Sequence, residues 1–369
     1  MPFANWISVL ILPLTLMCVS GTGWARDSVG VSATAPAYIW DGPRDGPPAL
    51  PGKRISFIGQ DMRNGGISSV YRSLYLAALE LGWTLDVYDG KGDVRLFRSL
   101  LKDGLTQRLD GVVLAGIDID DEFQDLVSLA QKKAVVLVGW HAGTMPGASK
   151  QLFVNITTHY EQVARKAAEL LVETGGAAKG IIILNDKRFK IANAKTAVMK
   201  EVISNCRLCS LLAVENIEIG NVNLEIPAAV HRWNLQFGSR WTHTLAINDA
   251  YFDAMNIPLM SEGRRDIVNI AAGDGSYIAL NRIKSGKSQQ LATIAEPLGI
   301  QGWQLADELN RAFSGSAPSG YVSSPIVVTS RLLSQLKGAD IDTLSNFKEY
   351  YRQIWFARAK TDLGQPRVR

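Results

Sequence analysis

From Arg54 onward the chain alternates short, almost unbroken apolar runs with stretches whose apolar residues recur every three or four positions. That rhythm is the tightest constraint on its fold. The run Ile55-Ser56-Phe57-Ile58-Gly59 leads through a polar loop, 60–66, into Ile67, Val70, Tyr71, Leu74, Ala78 and Leu81, the spacing of a helix with one buried face. Gly82 stops it. Strands at 84–88, 111–115 and 134–139 and helices at 94–105 and 121–131 complete a β-α-β-α-β-α-β series. The series then restarts, with strands predicted at 152–155, 180–184, 211–214, 244–247, 267–271 and 291–295. Helices fall between them at 160–174, 191–204, 224–237, 251–255 and 276–284. Strands this apolar are buried on both faces, so the pattern predicts an α/β fold of two doubly wound, parallel-sheet lobes. A helix at 301–313, a strand at 326–329 and an aromatic-rich helix at 347–358 follow.

The first 25 residues contain no Lys, Arg, Asp or Glu, and 6–19 is an almost unbroken apolar run interrupted by Pro13. It is too short for the roughly 20 residues that span a bilayer as a helix. Small residues in Gly23-Trp24-Ala25 suit a signal peptidase, which predicts export and cleavage after Ala25, an uncleaved anchor being the alternative. Residues 26–52, with five prolines, read as an extended lead-in. Removal of 1–25 takes Cys18 away and leaves Cys206 and Cys209, where an even count in an oxidising compartment favours a disulfide. A zinc site would need two further ligands, and His141, His159, His231 and His243 are scattered. No metal and no cofactor is expected. A net charge of +4 spread in alternating sign argues against nucleic acid.

In doubly wound sheets the ligand crevice lies beyond the carboxyl ends of the strands. Those ends carry Asp61, Arg63 and Asn64, then Asp118, Trp140-His141, Asn185-Asp186, Asn248-Asp249, Asp274 and Glu296. Each alone is also compatible with an Asx turn or a helix N-cap; recurring together they suggest a lined cleft. No Gly-x-Ser-x-Gly elbow, H-E-x-x-H or phosphate-binding glycine loop is present, so an enzyme is not expected, although Asp274 and Glu296 are the two carboxylates an acid/base pair would need.

The order of Arg63-Asn64, Leu81-Gly82-Trp83, Val138-Gly139-Trp140-His141, Ala246-Ile247-Asn248-Asp249, Ala272-Gly273-Asp274-Gly275 and Ala292-Thr293-Ile294-Ala295-Glu296 resembles the periplasmic sugar-binding proteins of the ribose/galactose type. These are the substrate-binding components of ABC importers, and the likeness extends over about 53–335. It implies the type I periplasmic binding protein fold. One lobe would comprise 53–156 with 297–321 and the other 157–296 with 322–345, hinged near Thr157, Pro297 and Ser323, with 346–369 as a helical tail. It also implies a monomer that closes on a sugar or polyol and delivers it to a membrane permease, or, alternatively, that signals to a membrane kinase or chemoreceptor. Carried over residue by residue, the likeness implies Arg63 and Asn64 on the first lobe and Asn248, Asp274 and Glu296 on the second; the candidate ligand set adds Asp118, Trp140 and His141 on the first lobe and Asn193 on the second.

Three departures bear on the ligand. Gly65-Gly66-Ile67 stands where ribose-type members often carry stacking aromatics, Trp140-His141 where they carry Asp-Arg, and the helix that holds Asn193 lacks the Arg they carry there. Ribose itself is therefore not expected. Trp140 reads either as a stacking platform or as core, and Asp274 either as a hydroxyl acceptor or as a cap for the helix near Ser276.

Overall fold

The computed structural model describes residues 39–356, apart from 176, 177, 337 and 339. The predicted signal sequence, the lead-in before 39 and the tail beyond 356 lie outside the described residues. The first lobe opens with β1 (Arg54–Gly59), α1 (Gly65–Glu80), β2 (Thr84–Asp89), α2 (Val94–Thr106), β3 (Gly111–Ala115), α3 (Gln124–Lys132), β4 (Val136–Trp140) and β5 (Val154–Ile156). The second follows as α4 (Tyr160–Glu173), β6 (Lys179–Asn185), α5 (Lys190–Ser204), β7 (Cys209–Asn216), α6 (Val222–Phe237), β8 (His243–Ala246), α7 (Ala250–Ser261), β9 (Val268–Ala271), α8 (Tyr277–Ser285) and β10 (Gln290–Ala295). The chain then makes α9 (Leu298–Phe313), β11 (Ile326–Thr329), α10 (Ser330–Ser334) and α11 (Phe347–Phe356). The first sheet is parallel, in the order β2-β1-β3-β4-β5. The second runs β11-β10-β9-β8-β6-β7, parallel except for β11.

Strand pleating explains the continuous apolar runs. Ile55 and Phe57 of β1 pack with α1 and α9, whereas Ile58 points the other way, toward α2 and α3. Local signals set the ends of α1: the Asn64 side chain accepts hydrogen bonds from the Gly66 and Ile67 amides, and Gly82 turns the chain at a positive φ of 69°. α7 runs on through Pro258, past the expected end at 255. The proline is accommodated within the helix rather than breaking it, which the periodicity alone does not reveal.

α9 returns to the first lobe, and every residue from Leu298 to Arg311 is buried. α1 packs on it from one side, while the lead-in and α11 cover the other. Trp303 stacks on Trp355 at 5.3 Å, and Trp40 lies among Tyr321, Tyr350 and Tyr351. Asn310 pins the irregular lead-in through Leu50 N and the carbonyls of Pro47 and Pro48. The chain therefore crosses between lobes a fourth time, ahead of α11, beyond the three crossings read from the sequence. Cys206 and Cys209 are bonded in the turn between α5 and β7.

Candidate ligand-binding cleft

The carboxyl ends of the two sheets face each other across a cavity of about 70 Å³. Each lobe braces it in the same way, in the loop after its first central strand. After β1, Arg63 donates to Asp61 through Nε (2.9 Å) and Nη2 (2.6 Å); after β6, Arg188 does the same to Asp186, at 2.9 and 2.6 Å. Hydrogen bonding to Asp61 raises the pKa of Arg63, whose side chain is otherwise largely exposed. The guanidinium is thus committed at the rim, with Asp61 as its partner. Asn64 caps α1 through Oδ1 while its side chain reaches the cavity.

Beneath the cavity lies a buried charge cluster drawn from both lobes. His141, at the end of β4 with a φ of 49°, meets Oε2 of Glu296 through Nε2 at 2.9 Å. Glu296 follows β10 and is fully buried; it also accepts from Thr158 Oγ1 (2.6 Å) and from Lys195 Nζ (3.1 Å). Burial pushes its pKa up, but the charges of His141 and Lys195 and the hydrogen bonds from His141 and Thr158 outweigh this and hold the carboxylate well below the usual range. Trp140 lines the cavity yet is only 2% exposed, its Nε1 donating to Gln301 Oε1 at 2.7 Å, so the structure seats it in the core of the first lobe.

Asp274 accepts a 2.6 Å hydrogen bond from Asn248 Nδ2 and lines the cavity. Burial raises its pKa, opposed by Lys195 and His141. It does not cap α8; Ser276 does, accepting from Ala279 N. Positive φ at Gly273 (107°) and Gly275 (83°) swings this loop toward the first lobe. There it meets the Gly65-Gly66 start of α1 so closely that a Cβ on Gly66 would lie 2.2 Å from Asp274 Oδ2, and one on Gly65 2.7 Å from Ser276 Cβ.

The sequence model of the periplasmic binding protein domain family matches residues 55–317. The chain belongs to that family. No curated protein matches it by sequence. Among solved structures it is similar to a sugar ABC transporter protein from Yersinia enterocolitica, at 15% identity with a TM-score of 0.71, covering 82% of this chain and 93% of that one. A Caulobacter myo-inositol binding protein aligns at 16% identity with a TM-score of 0.67, covering 78% and 98%. An Agrobacterium vitis ABC transporter solute-binding protein aligns at 15% with a TM-score of 0.65, covering 78% and 98%. At such identities the likeness is one of fold: two α/β lobes of the type I periplasmic binding protein.

In this periplasmic binding protein the structure brings Asn64, Asp118, Trp140, His141, Asn248 and Asp274 to the cavity wall. Glu296 lies behind His141 and Lys195, and Arg63 at the rim. Asn193 is corrected: it faces away, bonded to Asn185 and to the Lys187 carbonyl, because two residues along a helix turn through about 200°. Lys195, missed as a site residue, takes the inward position, its Nζ also donating to the Ala272 carbonyl at 2.9 Å. A signal was present, since Ala192, Thr196, Met199 and Ile203 mark the buried face of α5 and Lys195 falls on it. Asp249, also missed, accepts from Gly275 N, Gln290 and Thr293 and so fixes the Asp274 loop; burial pushes its pKa to about 7.

Proposed function

We propose that this protein is exported, loses residues 1–25, and captures a neutral sugar or polyol between its lobes as a monomer, handing it to the membrane permease of an ABC importer. The observation that carries the reading is the neutralisation of every cation around the cavity. Lys195 is paired with Glu296, Arg63 with Asp61, and Arg188 with Asp186. Among the described residues, an anionic sugar acid or phosphate would find no unpaired cation there. What remains are acceptors and amides, Asp274, Asn248, Asn64 and Gln60, with Ile67, Phe189 and Ile219 as an apolar wall. That mixture suits a compound with many hydroxyls and a C–H face. Polyhydroxylated ligands occupy similar structures, allitol in the Agrobacterium vitis protein and myo-inositol in the Caulobacter one. The Glu296 carboxylate is buried and fully engaged, which speaks against its pairing with Asp274 for acid/base turnover. The Cys206–Cys209 bond fits oxidation after export.

Asp274→Asn tests the central contact. With the capping role taken by Ser276, its loss falls on the ligand, and calorimetry should show affinity down roughly tenfold to a hundredfold, matching 1.5–3 kcal/mol for a hydrogen bond to a charged group. Wild-type affinity with intact folding would remove Asp274 from the site.

A further inference from the structure

The N-cap of α5 is Phe189, which offers no side-chain oxygen to the first turn of its helix. The acceptor comes from the other lobe instead. Oδ2 of Asp118, in the loop after β3, accepts from Lys190 N at 2.9 Å, and Lys190 Nζ donates to Asp120 Oδ2 at 2.6 Å. Asp120 is itself held in place, since its Oδ1 accepts from Glu122 N at 3.1 Å. Phe189 and Asp118 line the cavity whereas Lys190 and Asp120 do not, so these contacts sit on its edge.

We propose that Asp118, Asp120 and Lys190 form a latch between the lobes that stabilises the closed state whatever occupies the cavity. Asp118 then serves as a helix cap for the opposite lobe, a role distinct from the ligand contact expected of it. The inference rests on the lobe closure of the proposed function and is independent of which ligand is bound. Charge pairing is mutual: the hydrogen bond between them raises the pKa of Lys190 and lowers that of Asp120. The side chains are 59% and 37% exposed, so salt screens the pair and the latch weakens with ionic strength.

Single-molecule energy transfer on the exported, disulfide-intact chain reads the latch without any ligand, using dyes on exposed Lys102→Cys and Leu235→Cys, one per lobe. Lys190→Met, Asp120→Asn and Asp118→Ala should each lower the ligand-free closed-to-open ratio about fivefold to tenfold, as should 1 M salt for the wild type. Lys190→Met with Asp120→Asn should fall no further than either alone. Gly66→Ala serves as the open reference, because its Cβ would collide with Asp274. If Gly66→Ala and wild type give the same distribution, lobe closure itself fails and the latch with it. If they differ while Lys190→Met and Asp120→Asn match wild type, the latch alone is overturned. If only Asp118→Ala matches wild type, Asp118 is not its cap.

Discussion

Lys195 and Glu296 show how much of the cleft depends on single buried charges. Both are nearly inaccessible, and among the described residues the Lys195 Nζ donates to the Glu296 carboxylate and the Ala272 carbonyl. Removing one partner leaves the other charge in a poorly solvating interior. Lys195→Met is therefore expected to destabilise the fold by about 3 kcal/mol in urea titrations, and Lys195→Met with Glu296→Gln to regain much of that. A double variant as unstable as the sum of the two singles would show that the two residues do not act as a pair. At this scale the sequence was partly legible. Asn248 and Asp274 stand directly after apolar strands, so strand-end logic found them. Asn193 was misplaced because a helical position is read to within one face only by counting its buried neighbours, the same count that exposes Lys195. Arg63 was identified as a cleft residue, but its capture by Asp61, two residues away, depends on side-chain geometry that residue type does not disclose.

Among the elements, α1 illustrates how a missing side chain can matter as much as a present one. Gly65 and Gly66 give its first turn no Cβ, and the Asp274–Ser276 loop of the other lobe uses that space. In a helix, Gly→Ala favours folding by up to about 1 kcal/mol. Gly66→Ala should consequently leave the ligand-free melting temperature unchanged or slightly raised while weakening ligand binding at least tenfold by calorimetry. Retained affinity would mean that the two lobes do not meet at α1 when the ligand is bound. Most elements were visible in the apolar spacing, because each strand or helix advertises its own burial. The exceptions depend on partners distant in sequence: the lead-in was read as extended without anchors because Asn310, α11 and Trp355 hold it from more than 250 residues away. α7 outran its expected end because a proline inside a helix is tolerated when the surrounding packing holds it.

The whole molecule is two repetitions of one design, each a parallel sheet with an Asp-x-Arg brace after its first central strand, turned so that their carboxyl edges share a cavity. That repetition is written in the restart of the β-α rhythm, which the structure places after β5, the last strand of the first sheet, and it is why the architecture could be read without coordinates. The cavity could not, since its shape arises from pairs such as His141 with Glu296 and Asp118 with Lys190, whose members lie far apart in the sequence and on different lobes. Capture of a neutral polyhydroxylated compound can be measured by thermal denaturation of the exported protein across a panel of pentoses, hexoses, acyclic polyols, inositols, sugar acids and sugar phosphates. A ligand at a thousand times its dissociation constant adds about 4 kcal/mol to the folded state, so the account predicts a clear rise in melting temperature with at least one neutral sugar or polyol and none with the anionic compounds. A rise confined to the sugar acids or phosphates, or no rise with any neutral member of the panel, would contradict it.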